Sequence, residues 1–287
     1  MRGLIDSVFQ QEQINFLLTN RIPRRLVTRF MGWFSQIEQP IVRDLSIGVW
    51  KAFAGDLNLD EARKTRFSSL HDCFIRELGP GARPIDEAPD TLISPCDGIV
   101  GASGRLRGGE LLQAKGLTYT LAELLGDAAL AERYRDGCYV TLRLTSTMYH
   151  RFHAPERGDV ERVTYISGDT WNVNPIAVKR IERLYCRNER AVVHLRLAQS
   201  GEVVLLVPVA AILVASICFN FLPDPLDLRH QGVNQFACDA SFARGDEMGY
   251  FRHGSTIIVL GGAAMALCDH VREGVTVRMG QQLMRHR

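Results

Sequence analysis

The first 65 residues carry apolar side chains at mixed three- and four-residue spacing, a pattern that predicts short amphipathic helices. Pro23 and Pro40 divide the stretch, because proline is tolerated in the first turn of a helix but not deep inside one. No acidic residue occurs between Gln13 and Ile37. The apolar positions there are Phe16, Leu17, Leu18, Ile22, Leu26, Val27, Phe30, Met31, Trp33 and Phe34, and the interleaved basic ones are Arg21, Arg24, Arg25 and Arg29.

This arginine-rich amphipathic pattern has two interpretations. Tryptophan and phenylalanine on one face and arginine on the other are typical of a helix that lies in a membrane interface. A helix that packs its apolar face against its own domain shows the same pattern and is the commoner case. The pattern alone leaves both interpretations open.

From about Leu92 onward the periodicity becomes that of short strands separated by glycine or proline. A helical insert is predicted from Leu121 to Arg135, with Thr120 as its N-cap. The apolar run Val203 to Leu222 is long enough for a membrane span, but its β-branched residues and prolines favour buried strands. The predicted strands are Leu92–Ile93, Gly98–Val100, Cys138–Leu144, Val160–Ile166, Ala191–Leu197, Val203–Val209, Ile212–Phe219, Thr256–Leu260 and Val275–Arg278.

These elements predict an α+β protein in which N-terminal amphipathic helices precede a mostly antiparallel β core. The strand–turn–strand rhythm after Val271 is that of barrel-sandwich domains. We therefore expect a helical, membrane-associating segment over residues 1–65 and a β-rich catalytic domain over residues 66–287.

Composition narrows the function classes. The chain is 46% hydrophobic and 23% charged, as ordinary globular proteins are, and its net charge of +2 makes nucleic acid a poor partner. Its seven cysteines are dispersed, with no C-x-x-C pair, which argues against a disulfide framework and a cysteine-rich zinc site. The cysteine pattern indicates a reducing compartment, and the N-terminus lacks the features of a signal peptide.

Three places concentrate groups that could do chemistry. Asp97 precedes Gly98 in a turn, which is also ordinary turn chemistry. His150 and His153 could serve as bases, as a metal pair or as structural histidines; no cluster supplies further metal ligands at an obvious spacing. Ser255 follows Gly254 and opens a strand, so it lacks the strand–turn–helix setting of a hydrolase nucleophile elbow.

Taken together, these segments resemble the phosphatidylserine decarboxylase family over almost the whole chain. The order and spacing of the matching pieces are highly specific, although each piece is modest. The pieces are Trp33-Phe34, Arg76, Arg83-Pro84-Ile85, Pro95, Asp97-Gly98, Leu112-Gln113-Ala114-Lys115-Gly116, Tyr149-His150-Arg151, His153, Pro155, Gly168-Asp169, Asn172-Val173-Asn174, Arg187-Asn188-Glu189-Arg190, the run from Gly245 to Phe251, and Gly254-Ser255-Thr256.

The resemblance implies a proenzyme that cuts itself between Gly254 and Ser255. In that family Asp, His and Ser form a self-processing triad, which falls on Asp97, His153 and Ser255. Ser255 would become a covalent pyruvoyl group, the only cofactor expected, which forms a Schiff base with phosphatidylserine, and no metal is expected. His150 is the candidate proton donor for the decarboxylation that yields phosphatidylethanolamine.

The resemblance also implies an assembly and a location. Chains 1–254 and 255–287 are expected to remain together as a heterodimer, with further dimerisation left open. The expected partners are phosphatidylserine and an anionic membrane surface, reached as a peripheral protein on the cytoplasmic face of the cell membrane without nucleic acid. A lipid substrate favours the interfacial interpretation of the N-terminal helices.

Two departures from the family pattern concern the pocket. His253 stands where many members have leucine, and Ala210 and Ala215 stand where glycines are common. Added methyl groups restrict how closely a substrate can approach. Other readings remain open: a pyruvoyl enzyme acting on another amino acid or a phosphoserine-like compound, a non-catalytic membrane or carrier module, and a conventional serine hydrolase.

Overall fold

A computed structural model of the chain describes residues 23–114, 116–212, 216–227, 230, 234–252 and 255–287. Two helices come first, α1 (Arg24–Phe34) and α2 (Pro40–Ala54), followed by a 3₁₀ turn at Leu59–Glu61. Pro40 occupies the first turn of α2, where its missing N–H costs nothing. The remaining helices are short: α3 (Leu70–Phe74), α4 (Leu121–Leu125), α5 (Ala128–Arg133), α6 (Pro175–Val178) and α7 (Leu184–Arg187).

The strands form four antiparallel sheets. They are β1 (Thr91–Ile93), β2 (Gly98–Arg105), β3 (Glu110–Ala114), β4 (Leu117–Thr120), β5 (Cys138–Leu144), β6 (Arg151–His153), β7 (Gly158–Ile166), β8 (Arg190–Leu197), β9 (Val203–Ala210), β10 (Ser216–Phe219), β11 (Leu226–Asp227), β12 (Gln235–Phe242), β13 (Glu247–Phe251), β14 (Ser255–Gly261), β15 (Met265–Leu267), β16 (Thr276–Val277) and β17 (Gln282–His286).

An eight-stranded sheet forms the centre of the protein, in the order β12-β7-β8-β9-β14-β5-β2-β16. A four-stranded sheet has the order β11-β10-β13-β6, a three-stranded sheet the order β1-β17-β15, and β3 pairs with β4. The long antiparallel strands alternate their side chains between the two faces of the central sheet. Both faces are therefore covered, and each face belongs to its own core.

The first core lies between the central sheet and the four- and three-stranded sheets. Its members include Leu144, Ile257 and Val259 from the central sheet and Phe152 and Phe251 from the four-stranded sheet. The second core lies on the opposite face, where side chains from α4 to α7 and the β3–β4 hairpin pack. The stacked sheets give a sandwich-like arrangement, and the described residues form no closed barrel.

The predicted α+β class with a mostly antiparallel core is confirmed. The run Val203 to Leu222 forms β9 and β10 rather than a helix, as expected. None of the helices in the described part is long and apolar enough to cross a membrane. The predicted start of a strand at Ile212 is wrong, because Ile212 lies in a turn and β10 begins at Ser216.

The predicted helix Leu121–Arg135 is two helices. Thr120 caps the first as expected, in a capping box with Glu123. Gly126, at a φ of 67°, ends α4, and the Asp127 side chain caps α5. A residue with positive φ cannot continue a right-handed helix, so the chain must restart there.

Candidate functional site

Ser255 is the first residue of β14 and lies between two strands. It pairs with Leu144 of β5 on one side and with Ala210 of β9 on the other. Strand alternation places its side chain on the face of Ile257 and Val259, which belong to the first core. The hydroxyl is fully buried and makes no hydrogen bond within the described part of the chain. An unbonded buried hydroxyl is costly and invites a functional explanation.

Asp97 lies at the same end of the central sheet as Ser255. It immediately precedes β2, whose Ile99 pairs with Arg143, next to Leu144. Since only β5 separates β2 from β14, Asp97 and Ser255 lie about two strand spacings apart, roughly 10 Å.

The Asp97 carboxylate is held by other groups. Arg83 donates to it from Nε at 2.9 Å and from Nη2 at 2.6 Å, and the Met279 N–H donates at 2.9 Å. Both side chains of the pair are nearly inaccessible to solvent. Arg83 also donates to Glu61, which in turn pairs with Arg278. Asp97 is thus the buried end of a charged network.

His153, in β6, lies close to the Asp97 turn through the backbone, because its N–H donates to Pro95 O at 2.8 Å. Its ring Nδ1 is 2.8 Å from Gly245 O, and its Nε2 is 2.8 Å from the Tyr149 hydroxyl. A carbonyl can only accept, so Nδ1 carries the proton and, in the neutral ring, Nε2 accepts from Tyr149. Burial lowers the pKa of His153, which favours this neutral form.

Gly245 has a conformation that suits its role beside His153. Its φ is 84°, and a Cβ at this position would come within 2.8 Å of Ile85 Cδ1. Its N–H donates to Ala154 O while its carbonyl accepts from His153. Only glycine adopts this backbone without strain, which gives the glycine of the motif a physical reason.

His150 and His153 point to opposite faces, as three-residue spacing on a strand predicts. His150 is fully buried, and its carbonyl accepts from the N–H of Phe251, four residues before Ser255. Its Nδ1 donates to Met148 O at 2.8 Å, and the Phe74 ring centre is 4.0 Å from its own. Alternation places it, like Phe152, on the side of the first core that Ser255 also faces.

The wall beside Ser255 is fixed by Asn188. The amide of this buried residue donates to Ala210 O at 2.9 Å and to Trp171 O at 2.8 Å, and its oxygen accepts from the Trp171 N–H. Ala210 is the cross-strand neighbour of Ser255, so its methyl group lies beside the serine side chain. The departure at Ala210 therefore adds bulk next to Ser255, whereas Ala215 falls outside the described residues.

An apolar cavity of about 880 Å³ opens between α1, α2 and α3. Its inner end is formed by Ser146 and Phe74, the residue that contacts His150. Its outer rim includes Ile41 and Phe53, with exposed fractions of 71% and 65%. The large apolar side chains exposed on these two helices are Leu26, Phe30, Trp33, Ile41, Leu45, Val49 and Phe53.

The structure brings the predicted site residues to one end of the central sheet but does not bond them into a chain. Within the described residues, His153 makes no hydrogen bond to Asp97 or Ser255. Gly254 and His253 lie outside those residues. No group of three His, Cys, Asp or Glu side chains suited to a metal ion occurs in the described part.

Sequence reasoning assigned no role to Arg83, Tyr149, Gly245 or Asn188. All four lie in segments that carry the resemblance, which was the available signal. Nothing in their spacing reveals the partner of each, because the contacts join residues distant in the chain, such as Gly245 and His153. Their roles become visible only when β6, β13 and the Asp97 turn are packed together.

The chain was compared with known proteins. The family model for phosphatidylserine decarboxylase matches residues 70–285. A phosphatidylserine decarboxylase proenzyme of Brevibacillus brevis is 33% identical over 270 residues, covering 93% of this chain and 95% of the relative. Proenzymes of the same name from Alkalilimnicola ehrlichii and Vibrio cholerae are each 34% identical, covering 89% and 91% of this chain and 92% and 94% of their own lengths. The chain therefore belongs to the phosphatidylserine decarboxylase family.

Proposed function

We propose that this decarboxylase is made as a proenzyme, cuts itself between Gly254 and Ser255, and converts phosphatidylserine to phosphatidylethanolamine. The family carries the reaction class. The observation that supports the cut is the Ser255 hydroxyl, which is buried without a described hydrogen bond at the start of a core strand. Asp97 and His153 lie at the same end of the sheet.

The self-cleavage begins with the activation of Ser255. A neutral hydroxyl is a weak nucleophile until a base takes its proton, and His153 is the base in this proposal. Ser255 Oγ attacks the carbonyl carbon of Gly254, and the peptide bond becomes an ester. Loss of the Ser255 α-proton expels the Gly254 carboxylate, and the remaining dehydroalanine hydrolyses to a pyruvoyl group and ammonia.

The residues around Ser255 fit a reactive group at the start of β14. The strand is paired on both sides, so cutting its N-terminal peptide bond leaves its new end anchored beside Ala210 and Leu144. The same pairing supports an assembly in which chains 1–254 and 255–287 remain folded together. The pyruvoyl group supplies a carbonyl that takes up the substrate amine and accepts the electron pair released with CO₂.

His150 is the proposed proton donor of the decarboxylation. Its side chain lies on the Ser255 side of the four-stranded sheet, and Met148 O fixes its Nδ1–H. That contact leaves Nε2 as the atom that exchanges protons, so the protonated ring can donate at Nε2. His150 thereby serves the second reaction, while His153 serves the first.

The exposed apolar helices support a peripheral membrane location on the cytoplasmic face. Seven large apolar side chains of α1 and α2 are exposed around the apolar cavity. Such a surface suits the acyl region of a bilayer better than water, and it disfavours a soluble amino acid as the substrate. The inner end of the cavity at Phe74 adjoins His150, so a lipid entering there would approach the reacting groups.

Two measurements test the chemistry. The purified protein is expected to run as fragments 1–254 and 255–287, the smaller one blocked to Edman sequencing, while Ser255→Ala gives one intact and inactive chain. Thr141→Val, which removes another buried hydroxyl from the same sheet, is the matched control and should still cut. A wild-type chain that stays uncut yet decarboxylates phosphatidylserine would show the proposal to be wrong.

Flotation with vesicles tests the location. The double variant Trp33→Ser/Phe53→Ser removes exposed apolar area from both helices and should lose binding to vesicles of phosphatidylserine and phosphatidylcholine. Leu112→Ser, which changes an exposed leucine on the β3–β4 hairpin, should bind as the wild type does. Equal flotation of all three proteins would rule out α1 and α2 as the membrane surface.

A further inference from the structure

The ring of His153 is restrained on every side that the structure describes. Its backbone N–H donates to Pro95 O, Nδ1–H donates to Gly245 O, and Nε2 accepts from the Tyr149 hydroxyl. Gly245 is itself tied to the strand by its N–H bond to Ala154 O. The basic nitrogen of His153 is therefore in contact with Tyr149, not with Ser255.

Strand geometry explains why His153 needs an intermediary. Phe152 faces the first core, which Ser255 also faces, so the next residue, His153, points to the opposite side of β6. It lines a polar cavity of about 570 Å³ together with Tyr149, Arg83 and Met279. A ring restrained in this position cannot reach the serine hydroxyl without breaking its contacts.

Tyr149 lies on the side of His153 that is nearer to Ser255. Glu247 pairs with His153, whereas Phe251, only four residues before Ser255, bonds to the backbone of His150, the neighbour of Tyr149. The Tyr149 side chain is 4% exposed. Burial raises the pKa of Tyr149, so the phenol stays protonated. A neutral hydroxyl both donates and accepts, which is what a proton relay requires.

We propose that Tyr149 is a further catalytic residue, which relays the proton of Ser255 to His153 during self-cleavage. This inference rests on the proposed function. As Ser255 Oγ attacks Gly254, its proton passes to the Tyr149 oxygen, and the Tyr149 hydroxyl proton passes to Nε2 of His153. Tyr149 ends neutral and His153 ends as an imidazolium, so one proton has moved and both bonds are replaced.

The groups around His153 suit the charge it acquires. Glu247 and Asp97 are the carboxylates that act on it, and Arg151 is the opposing cation. Arg151 is bonded to Glu247 at 2.7 Å, and Asp97 is bonded to Arg83, so neither carboxylate needs to bond the ring. In this scheme the Gly245 carbonyl orients the base, which is the role that the family resemblance assigns to Asp97.

The test is the rate of self-cleavage after cell-free synthesis, followed by gel for wild type, Tyr149→Phe, His153→Gln and the double variant. Tyr149→Phe should slow the cut at least about 100-fold, the scale of general acid–base catalysis. The double variant should be no slower than His153→Gln, because groups that act as one unit are not additive. Tyr134→Phe, which loses a 2.7 Å hydroxyl bond to Val203 O far from Ser255, is the matched control and should cut normally.

A second measurement needs no variant. The wild-type rate in mixtures of H₂O and D₂O should fall along a bowed curve, because two protons move together in the relay. A straight line would overturn the relay, as would a folded Tyr149→Phe protein that cuts within threefold of the wild-type rate. If instead His153→Gln cuts at the wild-type rate, the proposed self-cleavage base is wrong, and the failure is that of the proposed function.

Discussion

Replacing Arg83 with methionine isolates the contribution of the buried pair that holds Asp97. Arg83 and Asp97 are bonded through both guanidinium nitrogens that face the carboxylate, and their side chains are 5% and 8% exposed. Methionine keeps the length and the apolar stem of arginine but removes the charge and every donor. Asp97 would retain the Met279 N–H as its described donor, in a site closed to water.

We expect the change to cost about 3–5 kcal/mol of folding free energy, the usual effect of removing one partner from a buried ion pair. For a chain of this size that corresponds to a fall in Tm of roughly 6–15 °C. Although burial opposes it, the bond from Arg83 lowers the pKa of Glu61. A lowered carboxyl pKa stabilises the fold above its unfolded value and loses that contribution as pH falls through the folded value. The difference between the proteins should therefore narrow in acid.

The assay is thermal unfolding of both proteins in a Ser255→Ala background, so that self-cleavage does not alter the chain during the measurement. Arg63→Met is the matched control: Arg63 pairs with Glu77 at the surface, with an exposed side-chain fraction of 71%, and its loss should leave Tm nearly unchanged. A Tm fall of less than about 2 °C for Arg83→Met would refute the claim that this pair stabilises the Asp97 turn.

Three further changes separate the two reactions and the helix contacts. His150→Ala should still cut but decarboxylate slowly, in a phosphatidylethanolamine-release assay; an uncut chain would place His150 in self-cleavage instead. Asn188→Ala removes three buried hydrogen bonds, about 3 kcal/mol in all, and should lower both Tm and the decarboxylation rate because Ala210 loses its support; unchanged rates would contradict this role. Arg24→Ala breaks the 2.6 Å bond to Asp169 and should lower Tm by about 2–4 °C; no change would show that α1 is not held there.

The strands that could be predicted are those with strong local patterns. Cys138–Leu144 was expected with its observed bounds, because a run of β-branched and apolar residues is bounded by glycine and threonine. Glu247–Phe251 and Arg151–His153 were not predicted as strands, although both line the site. Their charged and glycine residues lack period-two hydrophobicity, and they become strands by pairing with each other.

The domain boundary near residue 65 and the roles of the site residues remain predictions. The helical part of residues 1–22 lies outside the described residues. Within the described part, α1 is joined to the β-rich region by Arg24 and Asp169, which are 145 positions apart in the chain. A contact of that kind cannot be read from helical periodicity, because periodicity reports only local neighbours.

Local pattern and motif spacing were enough to specify an α+β chain with arginine-rich amphipathic helices, an antiparallel core, and Asp97, His150, His153 and Ser255 as the reactive groups. They were enough because helix and strand periods and ordered motifs depend on residues close together in the chain. The partners of those groups were decided by packing. Asp97 bonds Arg83, and His153 bonds Tyr149 and Gly245, since strand register and burial determine which side chains meet across distant segments.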